Sequence, residues 1–198
     1  MEGGRLETIC KTDELIKPLL AGVFCADELV RPLVPGKIYI VNETPCNDSV
    51  EVVSAKTKEP NLHWVILSTV NPLEVEYLCS FAGNWQDIAG IREALTGHRV
   101  YSYPTALQHS TLTGCALYIL FEAWMLSRHI FGREIYQRFF LPVVSPAQCY
   151  KRDLMVAKTV QTFFQLSPGE ISHTLLDLQF LEEQNKRERE GGDEKRMQ

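Results

Sequence analysis

The feature that most constrains this chain is the segment at residues 115–131, which carries almost no charge apart from Glu122 and Arg128. A helix with so few polar positions has to be buried on most of its circumference. The chain has no apolar run of about 18 residues, the length that a membrane-spanning helix needs. The segment is therefore predicted to be a core helix, and other parts of the chain must surround it.

Two neighbouring strands are predicted ahead of this helix. Residues 63–70 are nearly continuously apolar, as expected of a central strand that is covered on both faces. The dipeptide Asn71-Pro72 then turns the chain into a second strand at residues 74–79. Three further strands are predicted at residues 37–42, 50–54 and 98–103, the last of which stops at Pro104.

Helix signals flank the strands. Thr12 is predicted to cap a short helix at residues 13–16, and residues 87–95 resemble another short helix. Gly132 is expected to end the apolar helix. The dipeptide Ser145-Pro146 supplies a cap and a first-turn proline for an amphipathic helix that reaches Gln165. Together the elements predict an α+β fold with a mixed central sheet.

Length and composition predict one domain and a polar tail. The chain has 198 residues, of which 45% are hydrophobic, so it can bury one sizeable core, which we place at residues 1–181. Residues 182–198 are too polar to be held in a core and are predicted to be a flexible charged tail. The net charge of −5 argues against a surface devoted to nucleic acid.

The cysteines and the first residues indicate a compartment. The six cysteines include no CxxC pair, which fits neither a zinc site nor a disulfide scaffold, so reduced thiols are predicted. The start at residues 1–5 has no apolar core of a signal peptide, so neither secretion nor a membrane location is expected. His98, His129 and His173 have no cysteine or carboxylate at metal-ligand spacing, so no metal site is predicted.

Cys115 is the residue with the clearest chemical potential. It follows the small, polar loop at residues 110–114 and opens the buried helix, where free N–H groups and the helix dipole favour an anionic sulfur. Gly114 would let a substrate backbone approach. A cysteine in this position can equally be a packing residue, and the catalytic interpretation depends on its partners. His63 begins the buried strand beside Trp64, and Gln108 lies seven residues before Cys115.

These spacings resemble the adenovirus maturation protease family of viral cysteine endopeptidases, which is distantly related to the SUMO-deconjugating proteases. His-Trp on a strand, Gln seven residues before Cys, and Cys at the head of a buried helix all fit that family. The resemblance covers roughly residues 6 to 180. Matching segments in similar order are Pro35-Gly36-Lys37-Ile38, Val41-Asn42, Asn71-Pro72, Tyr77-Leu78, Gly83 and Ser145-Pro146.

The resemblance implies an adenain-like fold and a set of roles. Cys115 would be the nucleophile, His63 the base, and Gln108 the oxyanion donor, together with the backbone N–H of Cys115. Trp64 and Gly114 would shape a narrow substrate channel. The substrates would be viral capsid and core precursors cleaved after Gly-Gly, in the host nucleus or the virion, by a monomeric enzyme.

The chain departs from the family at the residue that orients the base. Members carry a carboxylate there, and the matching position is Ser80. Three readings remain: the Ser80 hydroxyl accepts from His63, a residue such as Asp87 replaces it, or the enzyme is impaired. If Ser80 orients His63, Ser80→Ala should lower turnover modestly and Ser80→Asp should retain or raise it, because a charge-assisted bond is stronger.

A second departure concerns activation. The family's activating peptide is joined through a cysteine whose position here is Gly97, so that disulfide is not expected. A noncovalent peptide could still add a strand beside residues 37–42 or 98–103. DNA, the family's second activator, is in doubt because the chain is acidic. The start Met1-Glu2-Gly3-Gly4-Arg5 resembles a cleavage site and suggests self-processing.

Two other functions stay open on the sequence alone. An isopeptidase that removes ubiquitin-like modifiers would use the same fold and also cleave after Gly-Gly. A catalytically weakened scaffold would explain the missing carboxylate. His109 directly follows Gln108 but lies in a loop, where an imidazole is held less rigidly than on a strand, so His63 is the preferred base.

Overall fold

The protein has an α+β fold in which helices cover a five-stranded mixed sheet. The computed structural model describes residues 3–44, 63–108, 114–141, 146–167 and 171. The strands are β1 (Leu20–Cys25), β2 (Ile38–Asn42), β3 (Trp64–Ser68), β4 (Val75–Leu78) and β5 (Val100–Ser102). The helices are α1 (Gly3–Thr12), α2 (Ala89–Leu95), α3 (Cys115–Leu126), α4 (Gly132–Ile135), which continues into a π-helical turn, and α5 (Pro146–Phe164).

The strands lie in the sheet in the same order as in the chain. The central strand β3 runs antiparallel to both of its neighbours, β2 and β4. At the two sides, β1 adds parallel to β2 and β5 adds parallel to β4. In the pairing of β3 with β4, Ile66 lies opposite Leu78. This register decides which side chains meet at the end of the sheet where β3 begins and β4 ends.

Both faces of the sheet are buried, and successive side chains go to opposite faces. Trp64 and Ile66 of β3 lie in the core cluster that contains α3 and α5. Val65 and Leu67 lie in a second cluster, which contains α2. The near-continuous apolar sequence of β3 therefore has a direct cause, since each of its side chains meets one of two cores.

Most predicted elements are confirmed. The predicted strands at residues 37–42, 63–70, 74–79 and 98–103 correspond to β2, β3, β4 and β5, and the helices predicted at 87–95 and from Ser145-Pro146 correspond to α2 and α5. Within the described ranges, none of the helices has both the length and the apolar character of a membrane span. The predicted strand at 50–54 and the predicted tail at 182–198 lie outside the described residues.

Two predicted helix boundaries are wrong. Thr12 ends α1 instead of starting a helix, and the carboxylate of Asp13 accepts hydrogen bonds from the next turn's N–H groups. Gly132 begins α4, whereas the preceding helix α3 already ends at Leu126. The N–H of Gly132 donates to Glu76 Oε1 at 2.7 Å, and a Cβ at this position would lie 2.5 Å from Leu78 Cδ2. Glycine serves here to bring the chain close to β4.

The strand β1 was not predicted, and it changes two expectations. It pairs with β2, which also pairs with β3, so an added peptide strand beside residues 37–42 is blocked. Of the two predicted docking strands, β5 remains at a side of the described sheet. Cys25, the last residue of β1, is disulfide-bonded, so the prediction of reduced thiols is wrong for that residue. Cys10, Cys79, Cys115 and Cys149 are not disulfide-bonded.

A buried carboxyl pair lies between α3 and β4. Glu122 of α3 is completely buried, and among the described residues the nearby Tyr103 hydroxyl is the one group that acts to lower its pKa. Burial raises the pKa of Glu122 to about 8, and the neighbouring carboxyl of Glu76 acts in the same direction. Burial also raises the pKa of Glu76 to about 7, against the effect of the Gly132 N–H. Glu122 is therefore protonated at neutral pH.

The substitution Glu122→Gln should make stability less dependent on pH. The folded chain keeps the Glu122 proton up to about pH 8, whereas the unfolded chain releases it near the ordinary pKa of 4.5. Between these values the free energy of unfolding falls as pH rises, by up to about 1.4 kcal/mol per pH unit. Glutamine removes this contribution. Urea denaturation at several pH values between about 5 and 8 measures the slope.

The matched control is Glu14→Gln, which removes an exposed carboxylate from the same chain. This variant should show the same dependence of the free energy of unfolding on pH as the wild-type protein. Equal slopes in the wild type and in Glu122→Gln would contradict the inference that Glu122 holds its proton in the folded protein.

Candidate active site

Cys115 is the first residue of α3, and its side chain is 7% exposed. Gly114 caps the helix, and its carbonyl accepts the N–H of Leu117 at 2.9 Å. Burial raises the pKa of the Cys115 thiol, while hydrogen bonds from the backbone N–H of Trp64 and from the first N–H groups of α3 act in the opposite direction. The thiol therefore lies against the beginning of β3, beside the backbone of Trp64.

Gln108 is fixed to the end of β4 by three hydrogen bonds. The Ser80 hydroxyl donates to Gln108 Oε1 at 2.9 Å. The Ser80 carbonyl accepts the N–H groups of Leu107 and Gln108 at 2.7 and 3.0 Å. Because the amide oxygen faces Ser80, the amide NH2 group is directed to the other side. Gln108 is 3% exposed, so this orientation is held inside the protein.

A tyrosine of the cysteine helix positions the same segment. The Tyr118 hydroxyl lies 3.2 Å from the carbonyl oxygen of Leu107 and donates to Asp153 Oδ1 at 2.7 Å. Tyr118 stands one turn after Cys115 on α3. The chain just before Gln108 is therefore in contact, through this hydroxyl, with the first turns of the helix that carries the thiol.

The imidazole of His63 is directed elsewhere. Its Nε2 lies 3.2 Å from Cys79 Sγ, and its Nδ1 is buried with no hydrogen-bond partner in the described residues. The ring packs on Phe81 with a centroid separation of 4.9 Å. Neither ring nitrogen is hydrogen-bonded to Ser80, so the predicted role of Ser80 as the group that orients His63 is not what the structure has. The predicted pairing of His63 with Cys115 is likewise not formed.

The alternation of the sheet explains this arrangement. Beyond the pair of Ile66 with Leu78, the register of β3 and β4 continued by two residues places Trp64 opposite Ser80, and continued by three places His63 opposite Phe81. Trp64 and Ser80 point to the side of α3, where Cys115 and Gln108 lie. His63 and Cys79 belong to the alternate set and point to the side of α2. The predicted site residues thus lie at the same end of the sheet, but they are divided between its two faces.

The imidazole is neutral at physiological pH. Burial lowers the pKa of His63 to about 4. Because burial also raises the pKa of Cys115, the resting protein holds a neutral thiol and a neutral imidazole. A preformed thiolate and imidazolium pair is not present in this arrangement.

The two predicted substrate-binding residues are buried. Trp64 is 6% exposed and belongs to the core cluster of α3, and a Cβ on Gly3 would lie 2.7 Å from its ring. Gly114 is also buried. The Gly4–Arg5 bond, the predicted self-cleavage site, lies within α1. A protease needs its substrate extended, so this bond is protected while α1 is folded.

Two residues beside His63 were not predicted as site residues. Glu43 follows β2 directly, and its N–H donates to the His63 carbonyl at 3.0 Å. Cys79 follows β4 and is buried. The alternation of side chains along the predicted strand could have indicated Cys79. Cys79 lies on the same face as Val75 and Tyr77, whereas Ser80 lies on the opposite face.

No protein-family model matches the chain, and no curated protein matches it significantly. The chemistry that the site can support follows from its own side chains. Thiol hydrolases use a thiol, an imidazole and hydrogen-bond donors. The described residues include a thiol at a helix N-terminus, a buried amide held by Ser80 and a neutral imidazole. In an assembled site the imidazole would face the Cys115 thiol, whereas here it faces Cys79.

Alkylation of Cys115 should therefore depend strongly on pH. Because the thiolate is the nucleophile, the rate of reaction with iodoacetamide should be low near pH 7 and should still rise above about pH 9. Peptide mass spectrometry measures the rate at Cys115 separately from the other cysteines. Cys10 is fully buried with its pKa raised to about 12 and should stay unmodified as an internal control. A rate at Cys115 that does not change between about pH 6 and 8 would contradict the neutral resting pair.

Proposed function

We propose that the chain is a cysteine endopeptidase with an adenain-like fold, in which Cys115 is the nucleophile, His63 the base and Gln108 the oxyanion donor. The observation that carries the proposal is the fixation of Gln108. Its amide is oriented by the Ser80 hydroxyl, and the segment before it contacts α3 through Tyr118. A buried glutamine held in one orientation at the thiol-bearing helix has an evident use as a hydrogen-bond donor to an oxyanion.

The reaction begins when the His63 side chain leaves Cys79 and reaches the thiol. The imidazole accepts the proton of Cys115, and the thiolate attacks the carbonyl carbon of the substrate. The amide NH2 of Gln108 and the backbone N–H of Cys115 donate to the oxyanion. His63 then protonates the leaving amine, and water hydrolyses the acyl-enzyme to release the acid product.

Proton transfer in this scheme occurs after the substrate has bound. Both partners start neutral because burial opposes either charge. The dipole of α3 and the N–H groups near Cys115 lower the cost of the thiolate once it forms. The site thus differs from a thiol protease with a permanent ion pair, and it needs the movement of one side chain.

The proposed substrates are viral capsid and core precursors with Gly-Gly before the scissile bond, cleaved in an infected nucleus or in the virion by a monomeric enzyme. A glycine-rich segment suits a thiol that is 7% exposed, because it lacks the side chains that would prevent a close approach. An activating peptide would add a strand beside β5, because β2 is paired on both sides. DNA is the second candidate activator.

A thiol-directed peptide vinyl sulfone that ends in Gly-Gly tests the proposal. We expect it to label the full chain at Cys115 and to lose its label in Cys115→Ala. Cys149→Ser is the control, because it removes a half-buried free thiol from α5 without touching the site. Labelling that persists in Cys115→Ala would overturn the proposal. So would the absence of labelling with and without added peptide and DNA.

The direction of His63 favours one other function. The His63 imidazole contacts Cys79 in the resting fold and is directed away from Cys115. This arrangement is expected of a scaffold protein with little catalytic activity. The absence of labelling under all conditions would support this alternative. Fluorogenic ubiquitin and SUMO substrates, tested beside a Gly-Gly peptide, separate an endopeptidase from an isopeptidase of the same fold.

Ser80→Ala should lower kcat by about fivefold and leave KM nearly unchanged. The substitution removes one hydrogen bond to the Gln108 amide, worth about 1 kcal/mol, while both backbone bonds to the Ser80 carbonyl remain. Gln108→Ala removes the donor itself and should cost about a hundredfold or more. Steady-state kinetics on a Gly-Gly peptide measures both parameters.

Ser80→Thr is the matched control, since it keeps the hydroxyl and should keep most of the activity. Because the Ser80 hydroxyl donates to Gln108, we now expect Ser80→Asp to lower activity, the opposite of the expectation from the sequence. A carboxylate would face the amide oxygen of Gln108 and turn the amide over, so this variant should be less active than Ser80→Ala. A Ser80→Asp enzyme as active as the wild type would contradict the role given to Ser80.

A further inference from the structure

Three potential metal ligands converge at the end of the sheet where β3 begins. Glu43 directly follows β2, His63 directly precedes β3, and Cys79 directly follows β4. Because these three strands are antiparallel neighbours, the three positions meet at one end of the sheet. Their side chains share one face, and one ligand atom from each lies within 4.8 Å of the other two.

The ligand set matches one class of cation. An imidazole nitrogen, a thiolate sulfur and a carboxylate oxygen are the three ligand types that zinc uses in proteins. Calcium and magnesium prefer oxygen ligands alone, so a thiolate and an imidazole select against them. Ligand atoms on a tetrahedral zinc ion are roughly 3.5 Å apart, given bond lengths of about 2.0 to 2.3 Å. In the protein, His63 Nε2 and Cys79 Sγ are 3.2 Å apart, and a Glu43 carboxylate oxygen lies within 4.8 Å of both.

The ligands are also oriented by neighbouring groups. The Tyr77 hydroxyl donates to Glu43 Oε1 at 2.6 Å, and the N–H of Gly83 donates to Cys79 Sγ at 3.2 Å. Hydrogen bonds of this kind hold metal ligands in place in known sites. The contact between His63 Nε2 and Cys79 Sγ is weak as a hydrogen bond, because sulfur is a poor partner. A zinc ion between them would replace it with two strong bonds.

We propose that Glu43, His63 and Cys79 bind one zinc ion through a carboxylate oxygen, Nε2 and Sγ, with water as the fourth ligand. The Cys79 thiol releases its proton to solvent when the zinc–sulfur bond forms. Bound zinc holds His63 on the side of α2, away from Cys115. The ion is therefore an inhibitor of the peptidase, a consequence that rests on the proposed function, whereas the binding site itself does not.

Binding is tested on the full chain after removal of metal with a chelator. Titration with cobalt should give one equivalent of bound ion and a thiolate-to-cobalt charge-transfer band, which one equivalent of zinc should displace. Cys79→Ser should abolish the band and weaken zinc binding by about a hundredfold, and Glu43→Gln should weaken it by about tenfold or more. Circular dichroism confirms that each variant is folded.

Two cysteine variants serve as matched controls. Cys10→Ser removes a buried thiol from α1, and Cys115→Ser removes the proposed nucleophile, and neither should change the affinity for zinc. The proposal is overturned if no stoichiometric binding occurs. It is also overturned if the band survives in Cys79→Ser but is lost in Cys115→Ser, because the ion would then be bound by the other thiol.

Inhibition is measured separately, as the fraction of each variant's own metal-free rate on a Gly-Gly peptide. Zinc should inhibit the wild type, and Cys79→Ser and Glu43→Gln should need about ten to a hundred times more zinc for the same effect. Equal inhibition of the wild type and Cys79→Ser would overturn the inhibitory role. Zinc binding by a protein without peptidase activity would support the site and overturn the proposed function instead.

Discussion

The alternation of side chains along β3 and β4, with a core on each face, is the constraint on which the rest of the structure depends. It assigns every residue of these strands and of their continuations to one of two environments. Trp64 and Ser80 meet the cysteine helix, while His63 and Cys79 meet the opposite layer. A slip of one residue in the pairing would exchange the two sets and bury the wrong groups on both sides.

The elements that the sequence predicted well are those with a strong local pattern. The apolar run that became β3 depends on burial, and the start of α5 depends on the fixed backbone angle of Pro146, and both are local properties. The strand β1 was missed because the sequence of Leu20–Cys25 lacks a clear alternation and contains a glycine. The end of α3 was misplaced because Gly132 is required by its approach to Leu78, a contact between distant parts of the chain.

The candidate site was predictable to a similar degree. Cys115 at the head of a buried helix and Gln108 near it follow from spacing, and the structure brings both to one region. The partner of Ser80 could not be found by counting along the chain, because it depends on the pairing of two strands. Glu43 was missed since its proximity to His63 arises from the pairing of β2 with β3, and a lone glutamate after a strand gives no signal of its own.

The Ser80 carbonyl accepts two backbone N–H groups, from Leu107 and from Gln108. Those bonds do not involve the side chain at position 80, which adds only the orientation of the amide. The side chain at this position can thus be exchanged without displacing Gln108. Such an exchange changes the orientation of the amide but not the position of the residue. A single substitution at position 80 can therefore change how the amide is oriented while the backbone of Leu107 and Gln108 stays in place.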